Sequence, residues 1–157
     1  MTGDDLDDLV GAVLTASRVL VGVSVRSLAE IDETVTLTQF RTLVVLQTHG
    51  PSRLNRLAER LGVTPSTALR MVDRLIAADL VERRENERDR REVVIELTSD
   101  GRSMVDRVTA SRRTAIEEIV RTMPATRRRE LVRALNAFAR AADEPVVVTA
   151  AESHRGW

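Results

Sequence analysis

The stretch from Gly50 to Gly101 changes its repeat twice, and no other feature limits the fold as much. After Gly50-Pro51, Ser52 is placed to cap a short helix from Arg53 to Leu61, with Leu54, Leu57, Ala58 and Leu61 at helical spacing. Gly62 supplies its C-terminal stop. The turn Gly62-Val63-Thr64 leads into a second helix, Thr64 to Ala78. Thr64 caps it, and Pro65 takes the first helical position, where a missing N–H costs nothing. At about 100° per residue, Pro65, Ala68, Leu69, Val72, Leu75 and Ile76 share one side, and Ser66, Thr67, Arg70, Asp73 and Arg74 the other. After Asp79 the period falls to two. Leu80 to Arg84 and Glu92 to Leu97 read as strands, with Val93, Ile95 and Leu97 on one face. Glu85 to Arg91, between them, is too charged to pack and reads as a projecting loop.

Two short helices in a tight turn followed by a charged hairpin are the pattern of a winged helix-turn-helix. One face of the second helix is built for burial. The other carries hydroxyls near its start and two arginines one turn apart, which suits the major groove of DNA. Thr64, Ser66, Thr67, Arg70 and Arg74 are therefore candidate contacts to bases or phosphates. Ser52 and Arg53, at the start of the preceding helix, are placed to anchor a phosphate. Arg84, Arg88 and Arg90 would add contacts to the DNA backbone.

The flanks read as helices. Asp4 to Ile31 carries Leu6, Leu9, Val10, Val13, Leu14, Val21 and Leu28 at helical spacing. Its acids Asp4, Asp5, Asp7 and Asp8 sit where the helix dipole favours negative charge. Thr38 to Thr48 follows, with Phe40, Leu43, Val44 and Leu46. Thr98 caps a helix running to about Met123, Pro124 breaks it, and Ala125 to Ala142 carries Leu131, Val132, Leu135, Phe138 and Ala139. From Pro145 a Val-rich segment and polar tail read as frayed chain or as a strap on a partner subunit. The expected fold is mainly α with a small β-hairpin wing. A single domain over 1–157 would hold a DNA-binding module at 36–98, dimerisation helices at 4–31 and 99–142, and a tail at 143–157. The apolar stripes of the terminal helices exceed what so small a module can cover, which points to a two-fold homodimer. Two recognition helices would then reach major grooves about 34–36 Å apart, or a multiple of that.

Composition removes several chemistries. All 24 basic residues are arginine, so neither a Schiff base nor a lysine base is available. With no cysteine, disulfides, thiolate nucleophiles and cysteine metal sites are excluded. The two histidines lie far apart, and no metal-ligand spacing, glycine-rich phosphate loop or catalytic constellation is present. Neither an enzyme nor a bound metal or cofactor is expected. No signal peptide is evident, and no uninterrupted apolar run approaches the ~20 residues that span a bilayer, so a cytoplasmic chain without a membrane partner is expected. The net charge of zero hides an asymmetry. Residues 1–36 hold seven acids and two arginines, and residues 98–140 hold ten arginines and five acids. Residues 51–97 hold ten arginines and nine acids. Charge by itself therefore does not point to nucleic acid, and a winged-helix adaptor that binds a protein is the alternative reading.

The segments Leu37–Pro51 (LTQFRTLVVLQTHGP), Leu54–Arg84 (LNRLAERLGVTPSTALRMVDRLIAADLVERR) and Asp89–Gly101 (DRREVVIELTSDG) together resemble the MarR (multiple antibiotic resistance regulator) family of bacterial transcription factors. The last contains an acid-x-Arg pair, Asp89 and Arg91, before a strand that ends in Leu97-Thr98. The resemblance implies a dimeric, ligand-responsive regulator, read as a repressor, that binds a pseudo-palindromic operator. It implies that Arg91 enters the minor groove and that Asp89 braces it; a narrow A·T-rich groove attracts a guanidinium. It also implies a small aromatic or lipophilic acid as effector; Arg41 and His49, on the second helix, are candidate polar contacts for it. Two departures stand out. Asp79 replaces a glycine common before Leu80-Val81, and Glu85 and Glu87 stand where wing prolines are usual. Two acids beside a phosphate backbone imply modest DNA affinity, unless they turn outward.

Overall fold

A computed structural model describes residues 3–145. The expected Val-rich strap from Val146 onward, with His154, lies outside the described residues. Six helices and one hairpin follow in order: α1 (Gly3–Ile31), α2 (Leu37–His49), α3 (Leu54–Leu61), α4 (Pro65–Ala77), β1 (Val81–Glu85), β2 (Val93–Leu97), α5 (Ser99–Arg121) and α6 (Ala125–Ala141). The chain divides into two compact units, Met1–Ile116 and Glu117–Trp157.

Local chemistry sets the boundaries in the first unit. Asp32 accepts hydrogen bonds from the Thr34 N–H (2.8 Å) and hydroxyl (2.6 Å), which close the turn after α1 and hold its carboxyl below the usual carboxylate range. A capping box then starts α2: the Thr36 hydroxyl accepts from the Gln39 N–H, and the Gln39 side chain accepts from the Thr36 N–H. Gly62 ends α3 in the left-handed region at φ 68°, and Thr64 caps α4 by accepting from the Thr67 N–H. The hairpin is antiparallel, with Val81 opposite Leu97 and Glu85 opposite Val93.

One aliphatic core joins these elements. Leu43, Leu57, Val72 and Val108 come from α2, α3, α4 and α5 and are completely buried; Leu28, Val81 and Ile95 bring in the end of α1 and the hairpin. Burying each such side chain contributes roughly 1.5–3 kcal/mol before entropy is counted. The start of α5 lies hard against the entry to β1. The Thr98 hydroxyl donates to the Asp79 carbonyl (2.7 Å) and accepts from the Gly101 N–H (3.0 Å). A Cβ on Gly101 would lie 2.0 Å from the Leu80 carbonyl oxygen, so only glycine fits there.

Three expectations need correction. Ser52 does not cap α3: Arg53 holds that position without a side-chain capping bond, and the Ser52 hydroxyl donates to the Gly50 carbonyl. Ser52 instead extends the hairpin edge, exchanging both main-chain hydrogen bonds with Ile95 (3.0 and 2.8 Å). Leu69 does not join the buried side of α4, where Met71 packs with Ala68, Val72 and Leu75. Val93 shares a face with Ile95 and Leu97, as expected, and is 54% exposed at the wing end of that face. Finally, α1 is long and apolar enough to cross a bilayer by length and composition, though its richest 18-residue window is only 11% buried. The sequence reading weighed uninterrupted apolar runs, and Arg18 and Arg26 interrupt this one.

Much of α1 is apolar yet uncovered: Leu6, Leu9, Val10, Leu14, Val21 and Val25 are exposed, and only Val23, Ser24, Ser27 and Leu28 are buried. In the second unit, α6 buries no residue, and Val132, Leu135 and Phe138 are all more than half exposed. The Arg128 guanidinium donates to the Met123 and Arg121 carbonyls, tying the first turn of α6 to the end of α5.

Candidate nucleic-acid interface

Helix α4 is held by its buried edge, which leaves its polar arc outward. Ser66, Arg70, Asp73 and Arg74 are exposed, and Thr67 is half-buried. The hydroxyls of Thr64, Ser66 and Thr67 form a local network at the helix start, with Thr64 Oγ1 3.1 Å from Ser66 Oγ and 3.0 Å from Thr67 Oγ1. Thr64 is thus engaged as a cap and donates to Thr67, so Ser66 donates to Thr64 and keeps its acceptor lone pairs free, and Arg70 lies one turn further along. Arg70 reaches Thr67 Oγ1 only at 3.5 Å, the outer limit of a hydrogen bond, so its guanidinium is poorly committed.

The remaining sequence candidates split into engaged and unengaged groups. Ser52 is 5% exposed, with its hydroxyl donating to Gly50 and accepting from Arg60, so it is removed as a phosphate contact. Arg53 stands at the start of α3 but pairs with Glu92 on the hairpin. Arg84 pairs with Glu96, whose hydrogen bond and charge raise its pKa above the ordinary arginine value. Arg83, which sequence reasoning passed over, joins Asp73 at 2.6 Å and so ties β1 to α4. Among the described residues, Arg70, Arg74, Arg88, Arg90 and Arg91 stand in no ion pair. On α4 and the wing, these are the cations that can meet phosphate without first leaving a carboxylate.

The wing tip is shaped by its own polar side chains. Asn86 Oδ1 accepts from the Arg88 N–H (3.1 Å), and Asp89 Oδ1 accepts from the Arg91 N–H (3.0 Å). Asp89 therefore fixes the main chain of Arg91, where the resemblance implied a brace on its guanidinium. The Asn86 amide donates to Glu92 Oε2 (2.9 Å), and the opposite oxygen of Glu92 takes Arg53. Glu92 so links the wing loop to the start of α3. No pairing pattern in the sequence reveals this link, because its partners lie 6 and 39 residues away.

Of the two candidate effector contacts, Arg41 lines a cleft of about 400 Å³ with Ser24, Leu37, Thr38, Phe40, Val44 and Arg112; His49 is not among its lining residues. Nothing local in the sequence selects Arg112, which α5 brings in from afar. Its Nε is buried without a hydrogen-bond partner.

Comparison with known proteins gives a consistent answer. Residues 35–93 match the model of the MarR family. The repressor NicR of Pseudomonas putida is 39% identical over 75 residues, 48% of each chain. The repressor MdtR of Bacillus subtilis is 37% identical over 79 residues, 50% of this chain and 51% of that one. These matches span about half the length of the curated relatives. Among solved structures, RV1404 of Mycobacterium tuberculosis is 49% identical with a TM-score of 0.84, covering 91% of this chain and 97% of that one. A MarR family protein of Bacillus stearothermophilus, 19% identical with a TM-score of 0.81 over 92% of this chain and 99% of that one, shares the fold.

Proposed function

The chain belongs to the MarR family, and we propose that it acts in the cytoplasm as a double-stranded-DNA-binding transcriptional repressor. The observation that carries this is the outward polar arc of α4, with Ser66, Arg70 and Arg74 exposed on a helix whose other edge is locked into the core. In use, α4 enters the major groove: Arg70 pairs with a base or phosphate and Arg74 with the backbone. Arg88, Arg90 and Arg91 extend the contact along the wing, with Arg91 directed at the minor groove. Arg53 and Arg84 contribute only as far as DNA phosphate displaces Glu92 and Glu96.

The protein works as a homodimer. Exposed Leu and Val on α1 and the apolar stripe of α6 form the contact, and a two-fold axis presents two α4 helices to a pseudo-palindromic operator. Arg18 and Arg26 within α1 oppose its insertion into a bilayer. The effector is a small organic anion with an apolar body, held in the cleft lined by Phe40, Leu37 and Val44 and paired with Arg41 and Arg112. An effector that prefers a dimer with the wrong helix spacing weakens operator binding by the ratio of its affinities for the two states.

Fluorescence anisotropy against duplex fragments from the region upstream of the chain's own gene, across a salt series, tests the reading. DNA binding predicts a steep loss with salt, about 0.9 logarithmic units per logarithmic unit for each phosphate contacted. Absence of any salt-dependent duplex binding overturns it and favours the protein-adaptor alternative.

A further inference from the structure

The interface contains one residue that its chemistry leaves unexplained. Leu69 is 40% exposed on α4 and is not one of the buried side chains that form the core. Among the described residues from 37 to 98, only Leu69 and Val93 are large hydrophobic side chains left in solvent. Leu69 stands at helical spacing from Ser66 (three residues before) and Asp73 (four after), and it precedes Arg70. It therefore borders the same outward arc that the DNA-binding reading assigns to the major groove.

An isobutyl group can neither pair with a base edge nor neutralise a phosphate. The major-groove floor offers it one apolar partner, the 5-methyl group of thymine. We propose that Leu69 is a specificity-determining residue that selects thymine in each half-site by packing on that methyl. This rests on the DNA-binding reading and adds to it an identified base. Ser66 and Arg70 would supply hydrogen bonds beside it, and Leu69 would reject a cytosine at the same position because cytosine presents no methyl group there.

The test removes only the methyl. A duplex is selected from a randomised pool with the wild-type protein. Each thymine is then replaced by deoxyuridine, symmetrically in both half-sites, and binding is measured for wild type and Leu69→Ala. For wild type, one thymine pair loses about fourfold in affinity per half-site on losing its methyl, on the order of fifteenfold for both. Leu69→Ala binds the thymine and deoxyuridine duplexes equally. Its circular-dichroism melt stays close to wild type, because Leu69 is not one of the buried core side chains. If no thymine is methyl-dependent, or if both proteins show the same dependence, the role of Leu69 is overturned while DNA binding stands. If the wild type retains no duplex from the pool, the DNA-binding reading fails and this one with it.

Discussion

The α2–β2 region and helix α6 are built from the same aliphatic residues, arginines and alanines, yet they bury them very differently. In the first, Leu43, Leu57 and Val72 are sealed from water by neighbours on the same chain. In α6 no residue is buried, and Leu135 and Phe138 face solvent. The N-terminal part of α1 behaves like α6. Amphipathic pattern alone therefore does not tell a core from an interface. What separates them is whether the chain folds an opposing surface onto the stripe, and in the first region the tight α3–α4 turn and the hairpin provide one.

The largest expected effect lies on the sealed side of that contrast. Leu43→Ala should cost about 2–5 kcal/mol of stability, measured by urea unfolding, because the surrounding core cannot collapse into the cavity. A loss no greater than that of an exposed leucine would erase the distinction between the regions. Next, Leu135→Asp should raise the dimer dissociation constant on the order of a hundredfold or more in sedimentation velocity, by placing a carboxylate in an apolar contact. An intact dimer would show that α6 is exposed for another reason.

Arg70→Ala separates reading from folding within the compact region itself. It should cost roughly 1–3 kcal/mol of operator affinity and leave the melting temperature close to wild type. Unchanged affinity would remove Arg70 from the reading surface. The smallest effect concerns backbone. Asp79 adopts φ 58°, in the left-handed region where glycine is at ease and aspartate is tolerated. Asp79→Gly should therefore be neutral or stabilising by up to about 1 kcal/mol in thermal unfolding. A clear destabilisation would show that the Asp79 side chain has a role beyond its backbone.

Sequence reasoning read the elements well because their signals are local. Thr64-Pro65 opens α4 and Gly62 closes α3, and both depend on residues within one turn. The capping box at Thr36 and Gln39 is equally local, yet the apolar spacing places the start of α2 one residue late. Ser52 shows the opposite case. Its composition and position suit a cap, but its main chain is claimed by Ile95, far along the sequence, and its hydroxyl follows the main chain. A wheel drawn at fixed spacing places Leu69 on the buried side because it gives direction without saying where the core stops.

By itself the sequence determined the helix–turn–helix order, the alternating strands, the charged wing and the outward Ser66–Arg70–Arg74 arc, because periodicity and caps act over a few residues. Only the tertiary structure decided which arginines are already held by carboxylates, that Glu92 ties wing to α3, that Arg112 lines the same cleft as Arg41, and that Leu69 stays in solvent. Those outcomes depend on through-space distance and on desolvation by residues remote in sequence, which no local pattern records.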